Sequence, residues 1–303
     1  MPPIQNVLIA TDFSERAAFA EERAAMLCKQ HQCSKAELMT VKEAGEPETL
    51  ALVNNMSVAS AEDLITHAAR QELHERSATL SDNFGVDFDL SVRFGKPAWE
   101  IAGRGEELAA DLIVLGAHGG NFFTDLFLGN TADRLIRLCK RPMLTVKNEP
   151  SLPYSRILVP VDFSEESDQA ARVALCIAPE ASITFLHAYD VQIRYASVTQ
   201  EVIHHYRREA RENARLSLNR FIEDLDAADR LVSRVIIFGV PSAVVRDYAE
   251  KMQPDLIVMG KHGRSRVEEM IIGSVTRDTI DQTHCDILVV PPFPVLAQSG
   301  NVR

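Results

Sequence analysis

The chain has no surplus of basic residues: 32 Lys and Arg stand against 43 Asp and Glu, a formal net charge of −11. That balance argues against the broad positive face that a nucleic-acid-binding surface needs, so no nucleic-acid partner is expected. The nearest basic cluster, Arg207, Arg208, Arg211 and Arg215, is interleaved with Glu209 and Glu212 at helical spacing and reads as an ion-paired, solvated helix face. Long apolar runs are missing as well. None reaches the roughly 18 residues of a spanning helix, so no membrane partner is expected. The start, MPPIQNVLIATDFSE, lacks the basic head, apolar stretch and small-residue cleavage site of a signal peptide, and a cytoplasmic location is expected.

Cysteine is sparse. The five residues Cys28, Cys33, Cys139, Cys176 and Cys285 are odd in number and scattered, which does not read as a disulfide framework and suits a reducing compartment. Cys28, His31 and Cys33 stand close together, but no second cluster completes a tetrahedral set, so no metal site is assigned. Two common phosphate fingerprints, GxxxxGK[ST] and a GxGxxG following a strand, are absent. No Ser-His-Asp order, catalytic base or paired acid set stands out, so no catalytic residue is assigned and an enzyme of vigorous turnover is not expected.

What is present is a repeat. At 303 residues, with 46% apolar and 25% charged residues, the chain has the length of two ordinary globular domains of about 150 residues. DLIVLGAHG (Asp111 to Gly119) matches DLIVMGKHG (Asp255 to Gly263) at seven of nine positions, with an offset of 144. The same offset carries Phe94-Gly95-Lys96-Pro97 onto Phe238-Gly239-Val240-Pro241, and Gly129 onto Gly273. Asp12-Phe13-Ser14 recurs as Asp162-Phe163-Ser164 at an offset of 150. Domains are accordingly drawn at 1–148 and 154–303. Between them Lys147 to Ser155, with two prolines and no periodicity, reads as a linker that contributes little beyond proximity. The proline-rich tail after Pro291 is expected to leave the fold.

Each copy alternates strands and helices. Apolar runs at Val7 to Ala10 and Ile157 to Val161 predict a first strand, and Ser14 or Ser164 offers an N-cap to an alanine-rich helix. A second strand, a loop, a long charged helix (about 59–83 and 198–225), and a third strand ending at Gly-x-Pro follow. The fourth strand enters a glycine turn, and a fifth (Met143 to Val146; Ile287 to Val290) closes the unit. The pattern predicts an α/β fold: two tandem doubly wound, Rossmann-like domains, each with a five-stranded parallel sheet. Ligands of such sheets bind outside the carboxyl ends of the strands, at the switch in strand order.

The most informative stretch is Leu256 to Ile280. A strand ends in Gly260-Lys261-His262-Gly263, nine residues intervene, and Gly273-Ser274-Val275-Thr276 opens a helical pattern. Glycines let a backbone approach an anion, and the N–H groups and dipole at a helix start favour negative charge. Ser274 and Thr276 can add hydroxyl donors, and Arg264 and Arg266 countercharge. The alternative is that the glycines only end a strand and cap a helix.

The spacing G-x2-G-x9-G-S, the strand-one VPVDFS and the FGVP turn together resemble the universal stress protein family over about 290 of the 303 residues. The resemblance implies ATP as the ligand, with Mg²⁺ as the companion of the triphosphate. Carried over by that resemblance, Pro160, Val161 and Asp162 line the adenine side, and Ala188 offers backbone hydrogen bonds. Met259, Gly260, His262 and Gly263 follow the ribose and phosphates, and Gly273, Ser274, Val275 and Thr276 hold the triphosphate. A carboxylate repels phosphates, so Asp162 is expected at the base end; its alternative is a charge on the helix dipole. For His262 a packing role is the alternative.

The first copy departs from the motif. Asn130 replaces Ser274, and the bridge GNFFTDLFL brings Phe122, Phe123, Phe127 and Asp125 with no cation, which disfavours ATP there. The function expected is therefore a cytoplasmic stress-response protein that binds ATP in its second domain and acts as a nucleotide-responsive regulator toward unknown protein partners. The alternative is a non-catalytic interaction or scaffold module, or a binder of an apolar metabolite through domain one. Tandem copies of a domain that commonly dimerises imply an internal pseudo-twofold, with the last strands of the copies meeting. A further homodimer is an additional option.

Overall fold

The computed structural model describes residues 4–117, 129–190, 200–225, 227, 230–263 and 271–292. The first half runs β1 (Asn6–Ala10), α1 (Glu15–His31), β2 (Lys35–Lys42), α2 (Glu46–Asn54), α3 (Val58–Phe84), β3 (Asp89–Phe94), α4 (Pro97–Glu107), β4 (Leu112–Gly116), α5 (Asn130–Leu138) and β5 (Met143–Val146). The second runs β6 (Arg156–Pro160), α6 (Glu165–Ile177), β7 (Ser182–Tyr189), α7 (Gln200–Asp224), β8 (Val232–Phe238), α8 (Pro241–Met252), β9 (Leu256–Gly260), α9 (Ser274–Gln282) and β10 (Asp286–Val290).

The caps read from the sequence start these helices. Ser14 accepts a hydrogen bond from Ala17 N at the head of α1, and Ser164 does the same from Ser167 N for α6. Pro97 and Pro241 open α4 and α8, where their missing N–H costs nothing. Helix α2 is a departure: a loop was expected there. Pro47 and the acids Glu46 and Glu48 suit a first turn, and Asn55 in the left-handed region (φ 50°) ends it.

Each half contributes five parallel strands in the order third, second, first, fourth, fifth, and the two sets join into one ten-stranded sheet, β3-β2-β1-β4-β5-β10-β9-β6-β7-β8. The joint is antiparallel, with Met143 opposite Val289, Leu144 opposite Leu288 and Thr145 opposite Ile287. The last strands of the two copies thus meet as the pseudo-twofold requires, and neither is an edge. Alternate residues of each central strand are buried on opposite faces. Val7, Ile9, Leu144, Leu288 and Val290 join α1 and α6 in a core on one face, while Leu8, Met143, Ile287 and Val289 join Leu135 of α5 and Ile280 of α9 on the other. Both cores cross the joint.

The linker is more than a tether. Lys147 N donates to Asp286 Oδ1 at 2.8 Å, and Lys147 Nζ reaches Ile280 O (2.7 Å) and Thr283 O (2.6 Å) at the end of α9. Tyr154 Oη donates to Asp286 Oδ2 at 2.7 Å while the Arg23 guanidinium lies 4.1 Å over the Tyr154 ring. The expectation of a merely connecting segment fails because its polar groups are used to satisfy buried Asp286 and the open carbonyls of α9. The tail beyond residue 292 lies outside the described residues.

Candidate functional site

In each half the first and fourth strands are neighbours, so the strand order reverses between them and a crevice opens at their carboxyl ends. In the second half this crevice is a cavity of about 580 Å³. All twelve residues singled out in the sequence line it: Pro160, Val161 and Asp162 after β6, Ala188 from β7, Met259, Gly260, His262 and Gly263 from the end of β9, and Gly273, Ser274, Val275 and Thr276 at the start of α9. Segments a hundred residues apart are thereby brought to one place.

The geometry separates their roles. Asp162 is held by an Asx turn: its Oδ1 accepts from Ser164 N (3.1 Å) and Ser164 Oγ (2.6 Å), with Phe163 between them at φ 64°. Its Oδ2 then lies so close to Gly263 that a Cβ there would be 2.5 Å away. The carboxylate stands against the glycine turn. Gly260 packs on α6, where a Cβ would come within 2.9 Å of Glu166 Cβ. Gly273 N donates to Lys261 O at 3.0 Å, and a Cβ on Gly273 would lie 3.3 Å from His262 Cα. These glycines serve close packing of the turn on the helices as well as any approach of a ligand.

His262 is a brace. It is 8% exposed; its backbone N donates to Glu166 Oε2 at 2.7 Å, its Nδ1 is 3.4 Å from the same oxygen, and its Nε2 donates to Ile271 O. The ring thereby links Ile271 to Glu166 of α6. Thr276 is likewise occupied, its buried hydroxyl donating to Gly260 O at 2.9 Å. Ser274 is exposed at the head of α9, and among the described residues no side chain caps that helix, so there its first-turn N–H groups face the cavity mouth without a side-chain acceptor. Arg264 and Arg266 fall outside the described residues.

Four lining residues were missed: Ser167, Leu186, Pro241 and Val245. Leu186 was within reach of the sequence, since it lies two positions from Ala188 on one strand and so shares its face. Pro241 belongs to the FGVP turn already noted. Nothing local marks Ser167 or Val245.

The first half repeats the plan. Asp12 Oδ1 accepts from Ser14 N (3.1 Å) and Ser14 Oγ (2.6 Å), Phe13 takes φ 66°, and a cavity of about 460 Å³ opens between Thr11, Met39, Val41, Glu43, Gly116 and Asn130. It differs in content. Ala132 stands where Thr276 ties turn to helix, Asn130 where Ser274 stands, and Glu43 adds a second carboxylate. His118, Phe122, Phe123, Asp125 and Phe127 lie outside the described residues. Among the described residues no group of three or more His, Cys, Asp or Glu is arranged to hold a metal ion, and no helix is long and apolar enough to cross a membrane.

Comparison with known proteins agrees with this plan. The profile of the universal stress protein family matches residues 3–147 and again 153–291. Universal stress protein MJ0531 of Methanocaldococcus jannaschii is 31% identical over 150 residues, 48% of this chain and 86% of that protein. Universal stress protein E of Escherichia coli K12 is 24% identical over 232 residues, 73% of each chain. The crystal structure of a universal stress protein from Archaeoglobus fulgidus shares the fold, with a TM-score of 0.72 over 94% of this chain and 98% of that one at 19% identity. Matched twice along its length, the chain belongs to the universal stress protein family, as a tandem member carrying two copies of the domain.

Proposed function

We propose that the chain is a cytoplasmic, nucleotide-responsive regulator that binds ATP in its second domain, with domains at 1–148 and 154–303. The observation that carries the reading is the convergence of Asp162, the glycine turn and the uncapped head of α9 on one cavity at the switch in strand order. Its volume of about 580 Å³ falls within the roughly 300–1,000 Å³ typical of small-molecule sites. Backbone N–H groups of Ser274, Val275 and Thr276, with the Ser274 hydroxyl, would hold phosphates at the positive end of α9. Asp162 would accept a hydrogen bond from the base or ribose, the apolar wall of Val161, Ala188 and Val245 would cover the base, and Met259 would follow the ribose and phosphates with the glycine turn. Mg²⁺ would arrive with the triphosphate, since among the described residues no carboxylate cage serves it.

The first domain supports a second reading. Its cavity keeps the same place but sets Asp12 and Glu43 beside Met39, Val41 and Ile101, which suits an uncharged or apolar metabolite better than a triphosphate. Occupancy of the second site would then change the surface offered to protein partners. The test is whether nucleotide accompanies the purified chain and is released on denaturation, identified by its ultraviolet absorbance and by mass. A chain carrying no nucleotide and taking none up would leave the interaction-module reading in its place.

A further inference from the structure

Helix α1 ends in a closure that brings two cysteines together. Gln32 takes the left-handed conformation (φ 51°), its N–H turns back to Lys29 O, and Cys33 N donates to Cys28 O at 3.0 Å. This is the hydrogen-bond pattern of a Schellman motif, in which the side chain after the left-handed residue packs on the one five positions earlier. Here those side chains are both thiols. Cys28 is 2% exposed within the core, and half-buried Cys33 packs against the same cluster. The closure sets the Cys28 and Cys33 side chains beside each other in this cluster, and Cys33 Sγ donates to Ile4 O at 3.3 Å.

We propose that Cys28 and Cys33 form a peroxide-oxidisable pair that closes to a disulfide at the end of α1. The reaction divides between them by exposure. As a thiolate, Cys33 attacks one oxygen of hydrogen peroxide; the O–O bond breaks, leaving a sulfenic acid on Cys33 and hydroxide, which takes the proton Cys33 released. Cys28 sulfur then attacks Cys33 sulfur; the S–O bond breaks, and the hydroxyl leaves as water with the Cys28 proton. Two thiols are oxidised and one peroxide becomes two waters.

The surroundings favour Cys33 as the attacking group. The Cys28 S–H hydrogen bond draws the Cys33 thiol below its ordinary range, against the opposing effects of burial and the nearby Asp111 carboxylate. The same hydrogen bond, with burial, pushes Cys28 up. Burial pushes Cys139 up to about 11 and Cys285 up to about 12, so neither competes at neutral pH. The position matters too. Gln30 Nε2 and His31 Nε2 both donate to Ile177 O at 3.0 Å, so this turn docks on the end of α6 in the other half. A bond between Cys28 and Cys33 would stiffen a contact between the domains.

The test uses the reduced full-length chain, treated with hydrogen peroxide, blocked with N-ethylmaleimide and digested with trypsin. Cleavage after Arg23, Lys29 and Lys35 separates the two cysteines. The proposal expects the peptides 24–29 and 30–35 to be recovered joined, two hydrogens lighter than their sum. In untreated protein, Cys33 should alkylate about tenfold faster than Cys139. With Cys28→Ser, which keeps a hydrogen-bond donor toward Cys33 but cannot form the disulfide, dimedone should trap a sulfenic acid on Cys33 that persists for lack of its partner. Recovery of Cys28 unlinked while Cys33 runs on to sulfinic acid overturns the proposal, and so does a link from Cys33 to Cys176 instead.

Discussion

Leu144 and Leu288 occupy the same place in the two copies, 144 positions apart, and they face each other across the antiparallel pairing of β5 with β10. Asp133 and Arg277, also 144 apart, form an ion pair between α5 and α9. Self-contact of equivalent residues is the mark of an isologous interface, so a pseudo-twofold axis passes beside these pairs. Two lysines reinforce it. Lys147 closes the carbonyl end of α9, and Lys261, 4% exposed, sends Nζ to Arg137 O at 2.7 Å in α5.

Disrupting that joint should separate the halves. Val289 is 2% exposed and sits opposite Met143, so Val289→Asp would bury a charge without a partner at a cost of several kcal/mol. Limited proteolysis of the variant should cut within 147–155 much faster than in the parent. Expressed alone, either half should dimerise or aggregate through its uncovered fifth strand. Halves that stay monomeric at high concentration would contradict the interface.

Lys147 gives the joint a pH signature. Burial holds its ammonium down to about 8, against 10.5 for a free lysine. The unfolded chain therefore binds more protons than the folded one between these values, and this residue's contribution to stability rises with pH across about 8 to 10.5, by up to about 3 kcal/mol. Because cysteine thiols exposed by unfolding titrate in the same range, the measurement is a difference. The stability of the parent minus that of Lys147→Met, from urea midpoints, should grow more favourable to the parent from pH 8 to pH 10. A difference that stays constant would contradict the assignment.

The fold was readable because period and punctuation agree: Ser14, Ser164, Pro97 and Pro241 start helices where the apolar pattern changes. The joint was readable from the repeat and the short apolar fifth strands together with the resemblance, which implied a domain that commonly dimerises. The linker's role was not, since Lys147, Asn148 and Tyr154 acquire their meaning only from Asp286, over 130 residues later. At the site, the resemblance to the universal stress protein family, carried by the glycine spacing, VPVDFS and the FGVP turn, implied the lining residues but not their duties. His262 and Thr276 carry polar groups that sequence treats as available, whereas Glu166, Ile271 and Gly260 occupy them.

Contact between Asp162 and Gly263 should appear as thermodynamic coupling. A methyl on Gly263 would meet the carboxylate at 2.5 Å and displace it. Gly263→Ala should weaken ATP binding about tenfold, and Asp162→Ala should cost about 1 to 3 kcal/mol and blunt discrimination among bases. The double variant should lose less than the two losses added, because each change removes the same placed carboxylate. Strict additivity in calorimetric titrations would show the residues acting separately. Gly273→Val is a poorer probe than its spacing suggests, since His262 Cα and Lys261 O stand 3.3 Å from a Cβ there.

The most direct measurement is calorimetric titration of the full chain with ATP and Mg²⁺, alongside Ser274→Asp and Asn130→Asp. Both positions head exposed helix starts, where a carboxylate suits the helix dipole and leaves the fold intact, but at a phosphate site it repels the ligand. The account predicts one site per chain, abolished by Ser274→Asp and untouched by Asn130→Asp. Two equivalent sites, none, or binding that survives Ser274→Asp would contradict it.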